Sequence, residues 1–362
     1  MEIQEKRLRY SRAFDKVYFP VVSICASFLI SGIVFALLGF NPLTAFGGLL
    51  SGSLGSMNAW GETLNKAVPV ALTGLSYAIA KRCGVVNLGA EGQVYMGALC
   101  AVLVGTELSA LPAAIHIPLT LLAGFLGGAI FGLLPAMMKN RFGASELITT
   151  IMFNYVALYF VHYMIAGPIK DLSASSNFAQ SKQMLATAQL PRLLEGTRLH
   201  AGLLVAIAAL IFYQFFLFHT TRGYELRVIG LNRTAGECAG MNPRSNTLLS
   251  MFLAGGFAGL AGACELMGVQ LRIMENAFNG IGFDGVAVAL LGGSSAGGIA
   301  LASLLFGALK SGSNKMQMKS GVPVSTIYML QGFIILFVVG KKLFDYHRLH
   351  KSPKNQPVKE VA

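Results

Sequence analysis

One stretch of the chain reads Gly84-Val-Val-Asn-Leu-Gly-Ala-Glu-Gly-Gln-Val-Tyr-Met-Gly97, with a glutamate, two amides and four glycines in otherwise apolar sequence. A carboxylate near the centre of a transmembrane helix costs about 2.5 to 3.5 kcal/mol on insertion scales, so an ionisable residue there marks a candidate functional site. Glu91 therefore predicts a transport path. The structural alternative is that Glu91 caps a broken helix or bonds to a neighbouring helix.

The composition places the whole chain in a membrane. Hydrophobic residues make up 54% of the 362 residues, charged residues only 12%, and the mean hydropathy is +0.61. An ordinary soluble domain carries about 25% charged residues. The 42 glycines let transmembrane helices approach closely. We expect an all-α integral membrane protein with tightly packed helices.

The remaining composition excludes several function classes. The net charge of +12 comes from basic residues scattered between apolar segments, which favours a role in membrane topology over nucleic-acid binding. The five cysteines form no CxxC pair and the six histidines form no HExxH motif, so neither a metal site nor a cofactor is predicted. A GxxxxGK[ST] motif is also absent, and the glycine-rich run 292–298 follows no buried strand, so it is interpreted as a helix breaker. We therefore expect no enzymatic activity.

Nine apolar segments are long enough to be candidate membrane spans. They cover about 18–40, 65–80, 84–106, 117–138, 146–167, 200–219, 247–270, 283–309 and 322–340. The first is too long for a signal-peptide core and is expected to be retained. The basic residues place both chain ends in the cytoplasm, which nine spans cannot satisfy.

A glycine-rich cluster, Gly292-Gly-Ser-Ser-Ala-Gly-Gly298, resolves this conflict. If it splits segment 283–309 into two short crossing helices, the chain has ten spans and both ends are cytoplasmic. Broken helices of this kind mark binding regions in transporters. The alternative is a re-entrant element elsewhere, such as 87–93.

Three regions follow from this topology. They are a cytoplasmic N-terminal segment at 1–17, a transmembrane domain at 18–340 that contains a cytoplasmic loop at 220–246, and a cytoplasmic tail at 341–362. In the outer loop 167–199 we expect a short helix near 178–188. In the cytoplasmic loop we expect a surface helix that begins at the N-cap Asn232 and ends at Gly240.

A few intramembrane polar residues are the candidates for a solute path. They are Asn87, Glu91, Gln93, Asn154 and Asp284. Asn154 also suits a buried interhelical hydrogen bond, and Asp284 suits the N-terminus of a helix. Glu146 is expected to pair locally with Arg141.

Four blocks of sequence resemble a known family. They are Glu62-Thr-Leu-Asn-Lys-Ala-Val-Pro69 with Asn87-Leu-Gly-Ala-Glu-Gly-Gln93; Gly143-Ala-Ser-Glu-Leu-Ile-Thr-Thr-Ile-Met-Phe-Asn-Tyr155; Arg227-Val-Ile-Gly-Leu-Asn232 with Ala239-Gly-Met-Asn242; and Gly282-Phe-Asp-Gly-Val-Ala-Val-Ala-Leu-Leu-Gly292 with Gln331-Gly-Phe-Ile-Ile-Leu-Phe337. Together they resemble ABC importer permeases of the branched-chain amino-acid and simple-sugar type, and among these the nucleoside permeases that work with basic-membrane-protein-type lipoproteins. The chain departs from the family at Ser145-Glu146, where Asn-Glu is usual, and at Gly293-Ser-Ser295.

The resemblance implies a type II-like permease in the cytoplasmic membrane that moves a small polar solute, with nucleosides as the first expectation. Its partners would be a separate ABC ATPase, a second permease copy or homologue, and an extracytoplasmic substrate-binding lipoprotein. The ATPase would couple through the cytoplasmic loop, at Arg227, Asn232, Arg233, Ala235, Gly236, Ala239 and Gly240. Alternatives are a simple-sugar or riboflavin permease, an ion-coupled secondary transporter that uses Glu91 or Asp284, and, less favoured, a membrane-embedded enzyme.

Overall fold

The computed structural model describes residues 21–108, 111–172 and 178–350, and for residues 339 and 341–350 it describes the backbone alone. The predicted segment 1–17 and the end of the predicted tail, 351–362, lie outside the described residues. Across the described part the protein is helical, with three isolated β-bridges and no extended strand. The prediction of an all-α protein is confirmed.

Thirteen α-helices are described. They are α1 (Val21–Leu37), α2 (Pro42–Ser53), α3 (Met57–Arg82), α4 (Ala90–Glu107), α5 (Ala113–Phe142), α6 (Glu146–Ala166), α7 (Gly202–His219), α8 (Thr221–Leu231), α9 (Arg233–Cys238), α10 (Pro243–Glu265), α11 (Ile281–Leu291), α12 (Ala296–Ser320) and α13 (Thr326–His350). A 3-10 turn covers Ala186–Ala188, and a π-helical turn, Leu266–Gln270, extends α10.

The helices form two units. The first contains α1 and α13, and the second runs from Leu43 to Gly321. Within the first unit, α1 buries Ser23, Ser27 and Ser31 on one face, at a spacing of four residues. Small side chains at this spacing are typical of helices that pack closely inside membranes.

Five of the described helices are long and apolar enough to cross a membrane: α5, α6, α7, α10 with its π turn, and α12. Three shorter apolar helices are Val21–Leu37, Ile281–Leu291 and Thr326–Val338. Two further helices, α3 and α4, have 26 and 18 residues and bury most of their side chains against other helices. Because protein rather than lipid surrounds them, they can carry more polar residues.

The predicted break in segment 283–309 is present, but α12, with 25 residues, is not the short helix that was expected. Helix α11 ends at Leu291, Gly293 and Ser294 adopt positive φ angles, and the Ser295 hydroxyl caps α12 by accepting from the Gly298 N–H at 3.2 Å. With 11 residues α11 is only about 17 Å long, roughly half of the hydrocarbon core.

The break lies at the basic end of the second unit. The Ser294 carbonyl accepts hydrogen bonds from the Arg82 guanidinium at 3.0 Å and from the Tyr213 hydroxyl at 2.8 Å. Arg82 ends α3, so α11 and α12 meet where the positive-inside rule places the cytoplasm.

Three sequence predictions of local structure need correction. Segment 84–106 is not helical throughout, because the chain stays irregular until α4 begins at Ala90. The outer loop has no helix over 178–188 beyond the turn Ala186–Ala188, since its backbone bonds to other segments, as in Leu185 N–H to the Gly105 carbonyl at 3.0 Å. The cytoplasmic loop holds α8 as well as the predicted α9.

Glycines let α10 pack closely against its neighbours α4 and α5. The backbones of Gly128 and Gly255 approach so closely that a Cβ on either would clash with the carbonyl of the other. Where α4 crosses α10, a Cβ on Gly97 would clash with the backbone of Gly259, while a Cβ on Gly259 would clash with the Gly124 carbonyl of α5. Such contacts explain the high glycine content in physical terms, since small residues maximise packing where lipid supplies no hydrophobic driving force.

Candidate functional site

Glu91 lies in the first turn of α4 and closes the N-terminus of α11. Its Oε1 accepts from the backbone N–H of Gly280 at 2.6 Å, and its Oε2 accepts from that of Gly282 at 2.7 Å. A carboxylate is favoured there because the first N–H groups of a helix lack partners and carry the positive end of its dipole. The contacts of Glu91 are therefore those expected from the structural alternative, in which this residue caps a broken helix.

Two glycines make this cap possible. Gly280 has a φ of +83°, a conformation that glycine adopts without strain. At Gly282 a Cβ would clash with the backbone of Glu91. The close approach of α4 and α11 thus depends on the absence of a side chain.

Asn87 and Gln93 form a buried amide pair beneath the cap. The Asn87 Nδ2 donates to the Gln93 Oε1 at 2.9 Å, and the Gln93 Nε2 donates to the Asn87 Oδ1 at 3.2 Å. Asn87 also donates to the Ser76 hydroxyl at 3.1 Å and accepts from the Gly89 N–H at 3.0 Å. These bonds fix the irregular chain before α4.

Asn154 on α6 holds the other side of the same stretch. Its Nδ2 donates to the Leu88 carbonyl at 2.8 Å, and its Oδ1 accepts from the Gly92 N–H at 2.8 Å. The side chain supplies partners to two backbone groups near the start of α4, where the helix cannot. The predicted interhelical hydrogen bond is present.

Asp284 sits in the first turn of α11, as expected for a helix N-terminus, and it also forms an ion pair with Lys310 of α12. Both side chains are largely buried. Sequence reasoning missed this partner because the apolar segment was taken to end at residue 309, one residue before Lys310. The pair ties α11 to α12.

A cavity of about 160 Å³ opens beside the N-terminus of α11, and we call it the α11 cavity. Its wall includes Glu91, Tyr95, Asn154, Tyr155, Asn276, Asn279 and Phe283. It thus brings together two of the five predicted path residues, Glu91 and Asn154. Asn87, Gln93 and Asp284 do not line it.

Most of the polar and aromatic residues in the wall of the α11 cavity were not predicted from the sequence. Asn276 and Asn279 lie between two apolar segments and read as part of a short outer turn. An available signal was the run Asn276-Ala-Phe-Asn-Gly280, because two amides so close to the broken helix are unusual in a stretch that only connects spans.

The loop 220–246, predicted to be cytoplasmic, folds into the helix pair α8 and α9. The Asn232 Oδ1 caps α9 by accepting from the Ala235 N–H at 3.1 Å, and Gly240 leaves the helix with a φ of +80°. Ala235 and Ala239 are exposed, whereas Gly236 is buried with Ile229 of α8 beside it. Gly236 therefore faces α8 rather than the exposed side of α9.

The arginines of this loop have distinct neighbours. Arg227 places its guanidinium 4.8 Å from the Phe218 ring centroid, and Arg233 pairs with Glu237 at 3.4 Å. Leu231, the last residue of α8, is 88% exposed.

Two other acidic residues, Glu146 and Glu265, also have partners. Glu146 pairs with Lys139 at 2.7 Å, so the prediction of a local ion pair is right but Arg141 is the wrong partner. Glu265 pairs with Lys66 at 3.4 Å, in keeping with a structural role. An open cleft of about 510 Å³ at the outer loop is lined by Lys170, Lys182 and Arg272 among others.

The protein is a polytopic helical bundle. It contains a half-length helix, α11, with buried polar groups at the N-terminus of that helix, and a capped helix pair at the basic end. These features define a membrane transport protein. Residues 59–339 match the model of the family described as branched-chain amino acid transport system / permease component. The chain belongs to this family.

Three relatives illustrate the match. The guanosine ABC transporter permease of Bacillus subtilis is 38% identical over 88% of this chain and 92% of the relative. The nucleoside ABC transporter permease of Lactococcus lactis subsp. cremoris is 35% identical over 91% and 92%. The glucose ABC transporter permease of Haloferax volcanii is 33% identical over 91% and 89%. No solved structure matches the chain.

The protein is therefore a multi-pass component of the cell membrane that serves transport rather than catalysis. As an ABC transporter permease it works with an ATPase and a substrate-binding partner. This assignment replaces the ion-coupled and enzymatic alternatives.

Proposed function

We propose that this chain is the permease subunit of an ABC importer that translocates nucleosides across the cell membrane. The observation that carries the proposal is the full-length similarity to two relatives named for guanosine and nucleosides, at 38% and 35% identity. The glucose permease is 33% identical over a similar share, so a sugar is the second candidate. The α11 cavity, with aromatic and amide groups, supports the first.

The proposed topology has ten spans, with both ends in the cytoplasm. In this arrangement α11 is a half-span that returns from the membrane interior to the cytoplasmic side, and α12 crosses outward. The bonds from Arg82 and Tyr213 to Ser294 support it, because they join the break to the basic end of α3. In this proposal, segment 1–17 and the tail 341–362 lie in the cytoplasm, and residues 18–340 form the membrane domain.

Different roles follow for the five path residues. Glu91 and Asn154 line the α11 cavity and would face the solute. The other three residues would instead fix the positions of the segments around the path. Asn87 and Gln93 are hydrogen-bonded to each other, and Asp284 is paired with Lys310. A site that relies on a fixed frame needs such supporting bonds to keep its geometry.

The α8–α9 pair is the proposed coupling surface, with Arg227, Asn232, Arg233, Ala235, Ala239 and Gly240 on or supporting it. Gly236 would act from inside by letting α9 lie against α8. Closure of the ATPase would push on α9 and shift the bundle between inward-open and outward-open states. The proposed assembly has a second permease copy or homologue, and a lipoprotein that docks at the outer loop, where Lys170, Lys182 and Arg272 lie.

Uptake of radiolabelled guanosine by cells that express the complete transporter tests the function. We expect saturable uptake that unlabelled nucleosides suppress and glucose does not. A matched strain whose ATPase carries a disabled nucleotide site controls for other carriers. Uptake of glucose but not of guanosine would replace the nucleoside assignment with the sugar alternative.

A further inference from the structure

The α11 cavity contains two polar side chains that no other part of the described protein uses. Asn276 and Asn279 are exposed, and their side-chain amides make no hydrogen bond to the described residues. Each amide offers two donor hydrogens and one acceptor oxygen. Asn154 differs, because both ends of its amide are occupied by Leu88 and Gly92.

Two aromatic rings share the wall with these amides. Tyr155 on α6 is 55% exposed, and Phe283 on α11 is 50% exposed. Exposed rings at the edge of a polar cavity provide flat apolar surfaces on which a planar heterocycle can stack. A stacked base would then present its hydrogen-bonding edge to neighbouring polar groups.

The charge of the cavity selects against phosphorylated ligands. None of its lining residues in the described chain is basic, and Glu91 contributes an acidic group bonded only to neutral backbone N–H groups. Because Glu91 occupies the N-terminus of α11, the helix end is not free to bind a phosphate. A neutral ligand meets no such obstacle.

The volume limits which part of a ligand fits. About 160 Å³ is below the 300 to 1,000 Å³ typical of sites that enclose a drug-sized ligand. One flat ring system fits such a space more readily than a whole nucleoside.

We propose that the α11 cavity binds the heterocyclic base of a neutral nucleoside. Tyr155 and Phe283 stack on the base, Asn276 and Asn279 bind its polar edge, and the ribose stays outside the cavity. This deepens the proposed function, on which it rests, and it assigns substrate contact to four residues outside the predicted path.

A tryptophan reporter tests the stacking directly. Trp60 is the single tryptophan of the chain, so Trp60→Phe removes the background fluorescence. In that background we expect guanosine to quench Tyr155→Trp saturably in the purified permease, and adenine to do so as well, whereas ribose, glucose and guanosine monophosphate do not. The control is Tyr159→Trp, one turn further along the exposed face of α6 and outside the cavity wall. Equal quenching at both positions, or none at position 155, overturns the proposal.

Uptake by the complete transporter provides the second test. Loss of one hydrogen bond to a ligand weakens binding about threefold to tenfold, so Asn276→Ala and Asn279→Ala should each raise the guanosine KM by about that factor. Neighbouring Glu275→Ala, outside the cavity wall, should not. Wild-type KM values in both asparagine variants would contradict the base site but not the nucleoside assignment. An absence of guanosine uptake in the wild-type transporter would contradict the nucleoside assignment itself.

Discussion

The carboxylate of Glu91 accepts a hydrogen bond from the backbone N–H of Gly282 at 2.7 Å, which joins the first turn of α4 to the first turn of α11. The two residues come from distant parts of the chain and meet at the N-terminus of the half-length helix. A change in the position of α11 therefore has to stretch or break this bond. The cap couples the shape of the α11 cavity to the position of α11.

Glu91→Ala should destabilise the permease more than Glu91→Gln does. Alanine removes both acceptors from the N-terminus of α11, a loss of about 1 to 2 kcal/mol by comparison with other helix caps. Glutamine keeps one acceptor oxygen. Thermal unfolding in detergent measures the difference. Glu107→Ala, at the exposed far end of α4, is the matched control, and a wild-type unfolding temperature for Glu91→Ala would refute the capping role.

The same two variants separate structure from transport. If only the cap matters, guanosine uptake per folded molecule should follow stability. If the carboxylate also faces the solute, Glu91→Gln should fold well and still transport slowly. Uptake normalised to the amount of assembled transporter distinguishes these outcomes.

Removing one partner of the ion pair between Asp284 and Lys310 should destabilise the permease more than removing both partners. Asp284→Asn or Lys310→Met leaves one buried charge without its partner, which typically costs about 3 to 5 kcal/mol. The double variant removes both charges and should recover much of that loss. Lys315→Met, exposed on the same helix, serves as the control. A double-mutant cycle of unfolding midpoints gives the coupling, and additive losses would show that the pair contributes nothing.

The fold was predictable where the sequence carries its own signal. The break at 292–295 follows from a local run of Gly and Ser, and α9 follows from Asn232 at one end and Gly240 at the other. These signals act over a few residues, so no knowledge of distant contacts is needed.

The partners of the site residues were not predictable in the same way. Glu91 and Gly280 are 189 residues apart, and Asp284 and Lys310 lie on separate helices. Nothing in the spacing of Glu91 or Asp284 along the sequence specifies which backbone group or side chain it contacts. The irregular start of α4 had the same origin, because Asn154, 62 residues after Gly92, supplies one of its bonds.

His200 should make the permease less stable in acid. Burial, with a smaller contribution from Lys66, lowers the pKa of His200 to about 4, and its Nδ1 accepts from the Gly202 N–H at 3.1 Å. Between about pH 6.5 and pH 4 the unfolded chain binds a proton that the folded chain does not. Stability is therefore full above pH 6.5 and falls as the pH drops through this window, by at most about 3 kcal/mol.

Unfolding temperatures at pH 7.5, 5.5 and 4.5 measure this loss. His200→Gln should flatten the pH dependence, whereas His219→Gln, exposed at the end of α7, should leave it unchanged. An equally steep pH profile in His200→Gln would assign the effect to other groups.

Bulky substitutions on α9 should uncouple ATP hydrolysis from transport. Ala235 and Ala239 are exposed, so Ala235→Trp and Ala239→Trp should fold normally and disturb only what docks there. We expect uptake to fall at least about tenfold while the ATPase still hydrolyses ATP, as for other interface positions where a side chain no longer fits. Met318→Trp, exposed at the end of α12, is the control. Normal uptake in both alanine variants would reject α9 as the coupling surface.

Cysteine labelling of intact cells decides the direction of α12. In a background with Cys25→Ser and Cys238→Ser, which removes the two exposed cysteines of the described chain, Lys315→Cys should react with a membrane-impermeant maleimide added from outside. Lys315 lies at the opposite end of α12 from the break, which Arg82 binds through Ser294 at the basic end of α3. With Cys238 restored and Lys315 unchanged, the same reagent should react only after the cells are opened, because the proposed topology places α9 in the cytoplasm. Labelling of Lys315→Cys only in opened cells would remove the half-span from the topology and leave nine crossings or a re-entrant element elsewhere.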